Sequence, residues 1–207
     1  AQFLIDHDAK MFVVACNTAT VHSIAHLREE FPQVPFVGVV PVVKTLSSRT
    51  KTGTIAVLST PATSKSPYLA GLIQEFAPDK NVVNVGCDGL ENAIESGQVR
   101  TRSTTAMLER HLAPVKDSNA DVVGLSCTHY PFLRSRIKSI LGPGVTLYAP
   151  SRPVARRVRQ LLTENDAFAV NPKPAFRFYT TGNAEVVRRV AGKLLRIPVA
   201  RVEHIDL

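Results

Sequence analysis

Two segments that lie far apart in the chain repeat one pattern. MFVVACNTAT covers Met11–Thr20, and DVVGLSCTHYPF covers Asp121–Phe132. Each runs through apolar, β-branched residues to a small residue, a cysteine and then hydroxyl or amide side chains. A buried parallel strand that presents a thiol at its carboxyl end has this pattern, and the residues after the cysteine suit a turn or the first turn of a helix. The repetition predicts a site that is shared between two similar halves.

The rest of the chain alternates short apolar runs with segments of helical periodicity. The predicted strands are Met11–Ala15, Val34–Val40, Thr54–Leu58, Asn81–Val85, Val122–Leu125, Val145–Tyr148, Phe176–Tyr179 and Val202–Ile205. The predicted helices are a helix end at Gln2–Asp8, then Ala19–Phe31, Pro67–Phe76, Leu90–Ser96, Thr101–Pro114, Arg134–Leu141, Val154–Leu162 and Ala184–Leu194. The stretch Asn171–Ala175 is predicted to be a loop. Strands that alternate with helices predict an α/β fold with mainly parallel sheets and right-handed crossovers.

Composition excludes several classes of protein. The 207 residues, 44% of them hydrophobic and 20% charged, are typical of a globular protein with one large or two small domains. No apolar run reaches the ~18 residues that span a membrane, and the first residues lack the pattern of a signal peptide. The three cysteines are an odd number without CxxC spacing, which favours reduced thiols in the cytoplasm over disulfides or a metal site.

The formal charge of +8 raises the question of nucleic acid binding. The densest basic segments, Arg152–Arg159 and Arg188–Arg196, have helical spacing, and aromatic residues do not interleave with them. Such segments are more often the solvated faces of helices than binding patches. The charge pattern therefore argues against nucleic acid as a partner.

The two strand-end cysteines suit one reaction particularly well. In open α/β sheets the ligand crevice lies beyond the carboxyl ends of the strands. A nearby helix N-terminus is expected there to lower the pKa of both Cys16 and Cys127 from about 8.5 toward 7. Two thiols facing each other across a small substrate can remove a proton from carbon and return one to the opposite face, which racemises the carbon without metal or pyridoxal. Cys–His hydrolysis would use only one of them.

Of the other candidate residues, all but Cys87 have two interpretations. Cys87 is predicted to be a small apolar core residue. His129 could be a core or capping residue, but two positions after Cys127 it can hold the protonation state of that thiol. Asn17, Thr18 and Thr128 are either ordinary helix caps or groups that bind a carboxylate or an ammonium.

These residues resemble a known family. VVACNTA at Val13–Ala19 and GLSCTHYP at Gly124–Pro131 resemble the two signature motifs of glutamate racemases, in the aspartate/glutamate racemase superfamily. The similarity extends over nearly the whole chain. It includes Pro41–Lys44 at the domain crossover, the turn Ser59–Thr63, and the spacing from Cys87 to Glu95.

The resemblance implies a fold, a function and a site. The fold is two similar, doubly wound α/β domains with mainly parallel sheets, related by a pseudo-two-fold axis with the active site between them. One domain would comprise residues 1–40 and 147–207, and the other residues 41–146. The function is cofactor-independent interconversion of L- and D-glutamate, which supplies D-glutamate for peptidoglycan in the cytoplasm, and a homodimer is left open. Cys16 and Cys127 would be the acid/base thiols, His129 would assist Cys127, and metal would not be used. The substrate-binding residues would be Asn17, Thr18, Thr60, Thr63, Glu95, Thr128 and His129.

The sequence also departs from that family. The family's first strand ends in Asp-Ser-Gly and a later segment reads Pro-Tyr-Gly, and neither is matched here. Ala149–Ser151 stands where the family usually carries an Asp-containing turn, and the sequence begins without Met. The expectation is a relative that lacks the N-terminal segment. The alternative is a weakly active or non-catalytic relative that serves as a small-molecule binding module.

Overall fold

The structure, a computed structural model, describes residues 1–170, 173 and 175–206. Its strands are short, and all of their pairings are parallel. They are β1 (Phe12–Val14), β2 (Phe36–Gly38), β3 (Thr54–Ser59), β4 (Asn81–Gly86), β5 (Val122–Leu125), β6 (Thr146–Tyr148), β7 (Tyr179–Thr180) and β8 (Glu203–His204).

Helices connect the strands and cover the sheets. They are α1 (Gln2–Ile5), α2 (Asn17–Glu30), α3 (Val43–Ser47), α4 (Pro61–Ser64), α5 (Pro67–Phe76), α6 (Leu90–Glu95), α7 (Arg102–Lys116), α8 (Arg134–Leu141), α9 (Ser151–Glu164) and α10 (Ala184–Leu195). A 3₁₀ turn at Tyr130–Leu133 leads into α8.

The central sheet has the strand order β4-β3-β5-β6. From β3 the chain crosses to β4 on one side, and then returns to place β5 on the other side of β3. The direction of the connections therefore reverses between β3 and β5. Ligands of open α/β sheets bind beyond the carboxyl ends of the strands at such a switch point. The residues that follow Ser59 and Leu125 are in that position.

The core of this sheet explains its apolar strands. Every residue of β3 and β5 is buried, as expected for parallel strands that are covered on both faces. Each large apolar side chain buried in this way contributes about 1.5–3 kcal/mol relative to full exposure. On one face the strands pack against Leu90 and Ile94 of α6 and against the apolar sides of α7 and α8. On the other face they pack against α3 and α5.

The smaller sheet of β1 and β2 holds the start of α2 in place. The hydroxyl of Thr20 donates to the carbonyl of Val14 and accepts from the N–H of Val39, both at 3.1 Å. A Cβ atom at Gly38 would clash with the Thr20 methyl carbon, so only glycine permits this approach. Because α2 is fixed to both strands, the position of Cys16 between β1 and α2 is fixed as well.

The structure confirms the α/β fold class with parallel sheets. It also confirms the predicted bounds of the helix Pro67–Phe76, the strand Val122–Leu125 and the helix Arg134–Leu141. The division into residues 1–40 with 147–207 and residues 41–146 stays a prediction.

Two features differ from the sequence prediction. The strand predicted at Phe176–Tyr179 was wrong, because β7 begins at Tyr179 and the Phe176 side chain is 77% exposed instead of packed. Helices α3 and α4 were not predicted, since five and four residues are too few for a periodic pattern. The predicted loop Asn171–Ala175 falls partly outside the described residues.

Candidate active site

Cys16 lies at the junction of β1 and α2. It is the N-cap residue of α2, and its Sγ accepts a hydrogen bond from the backbone N–H of Ala19 at 3.4 Å. The residue is exposed. Its sulfur thus takes the place that a serine or aspartate oxygen usually fills at a helix start, with its solvent side open to a ligand.

Cys127 follows β5 at the switch point and is only 7% exposed. Burial raises the pKa of its thiol to about 11, although the backbone N–H groups of His129 and Tyr130 act in the opposite direction. The negative charges of Glu91 and Cys16 raise it further. The expectation that a helix N-terminus lowers the pKa of Cys127 was therefore wrong. A thiol with a pKa raised in this way is protonated at neutral pH.

His129 connects Cys127 to a carboxylate. Its Nδ1 lies 3.7 Å from Cys127 Sγ, and its Nε2 lies 2.9 Å from Glu95 Oε1. If the proton of a neutral ring sits on Nε2 and is donated to Glu95, then Nδ1 is an acceptor that faces the thiol. The sequence predicted Glu95 as a substrate-binding residue, and the structure places its carboxylate against the histidine.

A direct hydrogen bond joins the two cysteine motifs. Thr128, next to Cys127, donates from its hydroxyl to the carbonyl of Ala15 at 3.0 Å, and Ala15 precedes Cys16. The Cys16 sulfur is also among the charges that act on the pKa of Cys127. The carboxyl ends of β1 and β5 therefore meet, as the repeated pattern predicted.

A cluster of three threonine hydroxyls borders the same site. Thr18 Oγ1 lies 3.0 Å from Thr60 Oγ1 and 3.0 Å from Thr63 Oγ1. Thr60 is the N-cap of α4 and also donates to Thr63 at 3.2 Å. Since Thr18 belongs to α2 and the other two follow β3, this cluster ties the β1 side of the site to the switch point.

Two buried polar side chains beside the thiols lack a hydrogen-bond partner in the described part of the chain. They are the amide of Asn17, both atoms of which are unpaired, and the hydroxyl of Ser126. Leaving such groups unpaired costs about 1–3 kcal/mol each. They belong to the residues immediately after Cys16 and before Cys127. Ser126 was missed by the sequence analysis, because nothing in the sequence shows that its hydroxyl is unpaired.

Cys87 is a residue of the apolar core. It is fully buried, its Sγ lies 3.8 Å from the Val85 carbonyl, and burial raises its pKa to about 12. The Tyr130 hydroxyl donates to the carbonyls of Cys87 and Ser59, at 3.3 Å and 3.2 Å. These two bonds connect the loop that carries Cys127 to the ends of β3 and β4.

The basic segments noted in the sequence lie on α9 and α10, where their arginines are exposed. Among the helices in the described ranges, none combines the length and the apolar character that crossing a membrane requires.

Comparisons with known proteins agree with this geometry. The sequence model of the Asp/Glu/hydantoin racemase family matches residues 1–158. A glutamate racemase from Pseudomonas putida is 38% identical over 190 residues, which cover 92% of this chain and 72% of that protein. The crystal structure of a glutamate racemase isoform from Bacillus anthracis matches with a TM-score of 0.87 and 30% identity, over 100% of this chain and 77% of the other. The Escherichia coli glutamate racemase, crystallised with L-glutamate and the activator UDP-MurNAc-Ala, matches with a TM-score of 0.85 and 28% identity, over 99% and 78%.

A parallel α/β fold with two thiols at converging strand ends defines an enzyme of the amino-acid racemase class, an isomerase that acts on a small molecule. The chain belongs to the Asp/Glu/hydantoin racemase family.

Proposed function

We propose that the protein is a glutamate racemase in which Cys16 and Cys127 exchange protons with the two faces of the substrate's α-carbon. The observation that carries the proposal is the convergence of the two cysteine motifs, with Thr128 hydrogen-bonded to the residue before Cys16. The similarity to glutamate racemases, one of them crystallised with L-glutamate, supports glutamate as the substrate.

The proposed reaction uses one thiolate and one thiol. Cys16 as a thiolate takes the α-proton of glutamate and becomes a thiol, and the electron pair stays on the α-carbon. Cys127 then gives its proton to the opposite face of that carbon and becomes a thiolate. In the reverse direction the two residues exchange roles. His129 assists Cys127, and Glu95 orients the histidine ring.

Polar groups around the thiols are suited to a charged amino acid. Asn17 and Ser126 have buried polar atoms that are unpaired in the described residues, and a substrate carboxylate or ammonium would pair them. We assign the remaining substrate contacts to Thr18, Thr60, Thr63 and Thr128, with Glu95 acting through His129. No cofactor or metal enters the proposed steps.

The cellular role follows from the substrate. We propose that the enzyme works in the cytoplasm and supplies D-glutamate for peptidoglycan, without nucleic acid or membrane partners. The three free thiols support a reducing compartment. A homodimer remains a prediction, which sedimentation of the purified chain can decide.

Serine variants of each cysteine test the proposed function. A serine hydroxyl is far too weak an acid to replace a thiol at neutral pH, and a positioned acid or base contributes about 10²–10⁴-fold to the rate. Cys16→Ser and Cys127→Ser should each nearly abolish racemisation of glutamate, measured by circular dichroism. Cys87→Ser is the matched control and should stay active. Comparable losses in all three folded variants would reject the assignment of the pair.

A further inference from the structure

A cavity of about 420 Å³ lies between the C-terminal end of α10 and residues 97–100, with the first turn of α8 as its third wall. Its volume is within the range of pockets that hold small molecules. Four cationic side chains from these three walls line it, namely Arg100, Arg136, Lys193 and Arg196. No carboxylate is among its described lining residues. We call this space the cationic cavity.

Two of the four cations are held in place by backbone carbonyls. Lys193 Nζ donates to the carbonyl of Gly97 at 3.2 Å. Arg136 Nη1 donates to the carbonyls of Val99 at 2.9 Å and Thr101 at 3.3 Å. These bonds fix the positions of the two side chains but leave both charges unneutralised, because none of the four cations forms an ion pair with any residue among 1–170, 173 and 175–206.

The other two cations are available to a ligand. The side chains of Arg100 and Arg196 are exposed, and neither makes a hydrogen bond within the part of the chain that the structure describes. Arg196 is the C-cap of α10 and has a φ of 55°, a left-handed conformation that glycine usually supplies at the end of a helix. A glycine would avoid the backbone strain but would place no guanidinium at the cavity. Since clustered like charges repel one another, an anion that enters the cavity would stabilise this arrangement.

We propose that the cationic cavity binds a small multivalent anion of the phosphate or diphosphate class, which bridges α10 to α8 and to residues 97–100. Arginine presents paired N–H donors that match the geometry of phosphate oxygens, and lysine adds a point charge. An anion with two or more charges can neutralise cations on opposite walls at the same time, whereas a monovalent ion such as chloride cannot. The bound anion therefore fastens α10 to the opposite wall.

The cationic cavity adjoins the groove that contains His129 and Glu95. The two spaces share Phe132 and Leu194, and α10 forms one wall of each. An anion that fastens α10 therefore also fixes a wall that borders the Glu95–His129 pair. Anion binding at this position does not depend on the proposed glutamate reaction.

Amide hydrogen exchange in α10 measures the proposed bridge. Peptides that cover Ala184–Leu195 are followed by mass spectrometry while inorganic pyrophosphate is titrated, with sodium chloride added to keep the ionic strength constant. Exchange should become slower as pyrophosphate binds, and the midpoint gives the dissociation constant. A nucleoside diphosphate is titrated in the same way. A lower midpoint than that of pyrophosphate would identify the diphosphate of a larger molecule as the ligand, and an equal or higher midpoint would identify the free inorganic anion.

Two variants remove one charge each from opposite walls of the cavity. Arg100→Gln and Arg196→Gln should each raise the pyrophosphate midpoint by about tenfold or more, because each loses a charge-assisted hydrogen bond to the anion. Arg152→Gln is the matched control, since Arg152 is an exposed arginine that lines a different cavity, beside α9. It makes the same change in net charge and should keep the parental midpoint. Far-UV circular dichroism verifies that each variant is folded.

Three results would overturn the proposal. In the first, exchange in α10 of the parent protein is unchanged at millimolar pyrophosphate. In the second, Arg100→Gln keeps the parental midpoint, which would mean that the anion contacts α10 without bridging it to the opposite wall. In the third, Arg152→Gln raises the midpoint as much as the two cavity variants, which would indicate a general effect of net charge. The exchange measurement uses no glutamate, so a failure of the proposed racemase activity would leave its outcome unaffected.

Discussion

Replacement of Glu95 by glutamine distinguishes a residue that orients His129 from one that binds substrate. The Glu95 carboxylate lies 2.9 Å from His129 Nε2, but its side chain is 63% exposed. Exposed ion pairs contribute about 0.2–1 kcal/mol, because water screens the charges. Since about 1.36 kcal/mol corresponds to a factor of ten in rate, Glu95→Gln should lower kcat/KM by only about 1.4-fold to 5-fold.

The matched variant is His129→Asn, which removes the ring that faces Cys127 Sγ at 3.7 Å. Loss of an assisting acid or base costs about 10²-fold or more. Both variants would be assayed with L- and D-glutamate by circular dichroism at several pH values. The double variant should lose no more than His129→Asn alone, because Glu95 acts through the ring.

A loss of about 10²-fold in Glu95→Gln would refute this reasoning. It would place Glu95 in contact with the substrate, or in a closed site where water no longer screens the pair. An additive double variant would lead to the same conclusion.

Two further predictions concern stability. Tyr130→Phe removes a fully buried hydroxyl that donates to the carbonyls of Ser59 and Cys87, and should lower the free energy of unfolding by about 1–2 kcal/mol in urea. Partial burial raises the pKa of Asp121, but hydrogen bonds from Thr50, Lys51 and Thr52 outweigh it and leave the pKa below its usual value. The stability from Asp121 is therefore present above the usual carboxylate pKa and lost as pH falls below about 4, and Asp121→Asn should reduce that acid dependence.

The tyrosine prediction has a matched control. Tyr148→Phe changes a half-buried tyrosine whose hydroxyl finds no partner in the described ranges, and should change stability by less than about 0.5 kcal/mol. Equal losses in the two tyrosine variants would reject the role given to the Tyr130 bond. For Asp121, an unchanged slope of stability between about pH 4 and 2 in Asp121→Asn would reject the assignment.

The sequence predicted the convergence of the thiols for a physical reason. Continuous β-branched runs are typical of buried parallel strands, and the carboxyl ends of such strands meet at one edge. That rule placed Cys16 and Cys127 each at the carboxyl end of its own sheet, and the repeated pattern predicted that the two ends share one site. The same rule predicts that the Ser59–Thr63 turn, at the carboxyl end of β3, lies at the site.

Properties that depend on packing could not be predicted in this way. The raised pKa of Cys127 comes mainly from burial, whereas the sequence indicated only a nearby helix start. The contact of Glu95 with His129 depends on how α6 lies against the 3₁₀ turn. The unpaired atoms of Asn17 and Glu91 likewise appear only once the surrounding atoms are placed.

Isotope exchange in deuterated water tests the two-thiol mechanism most directly. Thiols exchange protons with solvent, so each turnover should place deuterium on the α-carbon of the newly formed glutamate enantiomer, detected by proton NMR and mass spectrometry. The label should appear without added pyridoxal phosphate, and it should be lost together with racemisation in Cys16→Ser and Cys127→Ser. Product that retains the original α-proton, or turnover that requires added pyridoxal phosphate, would contradict the mechanism.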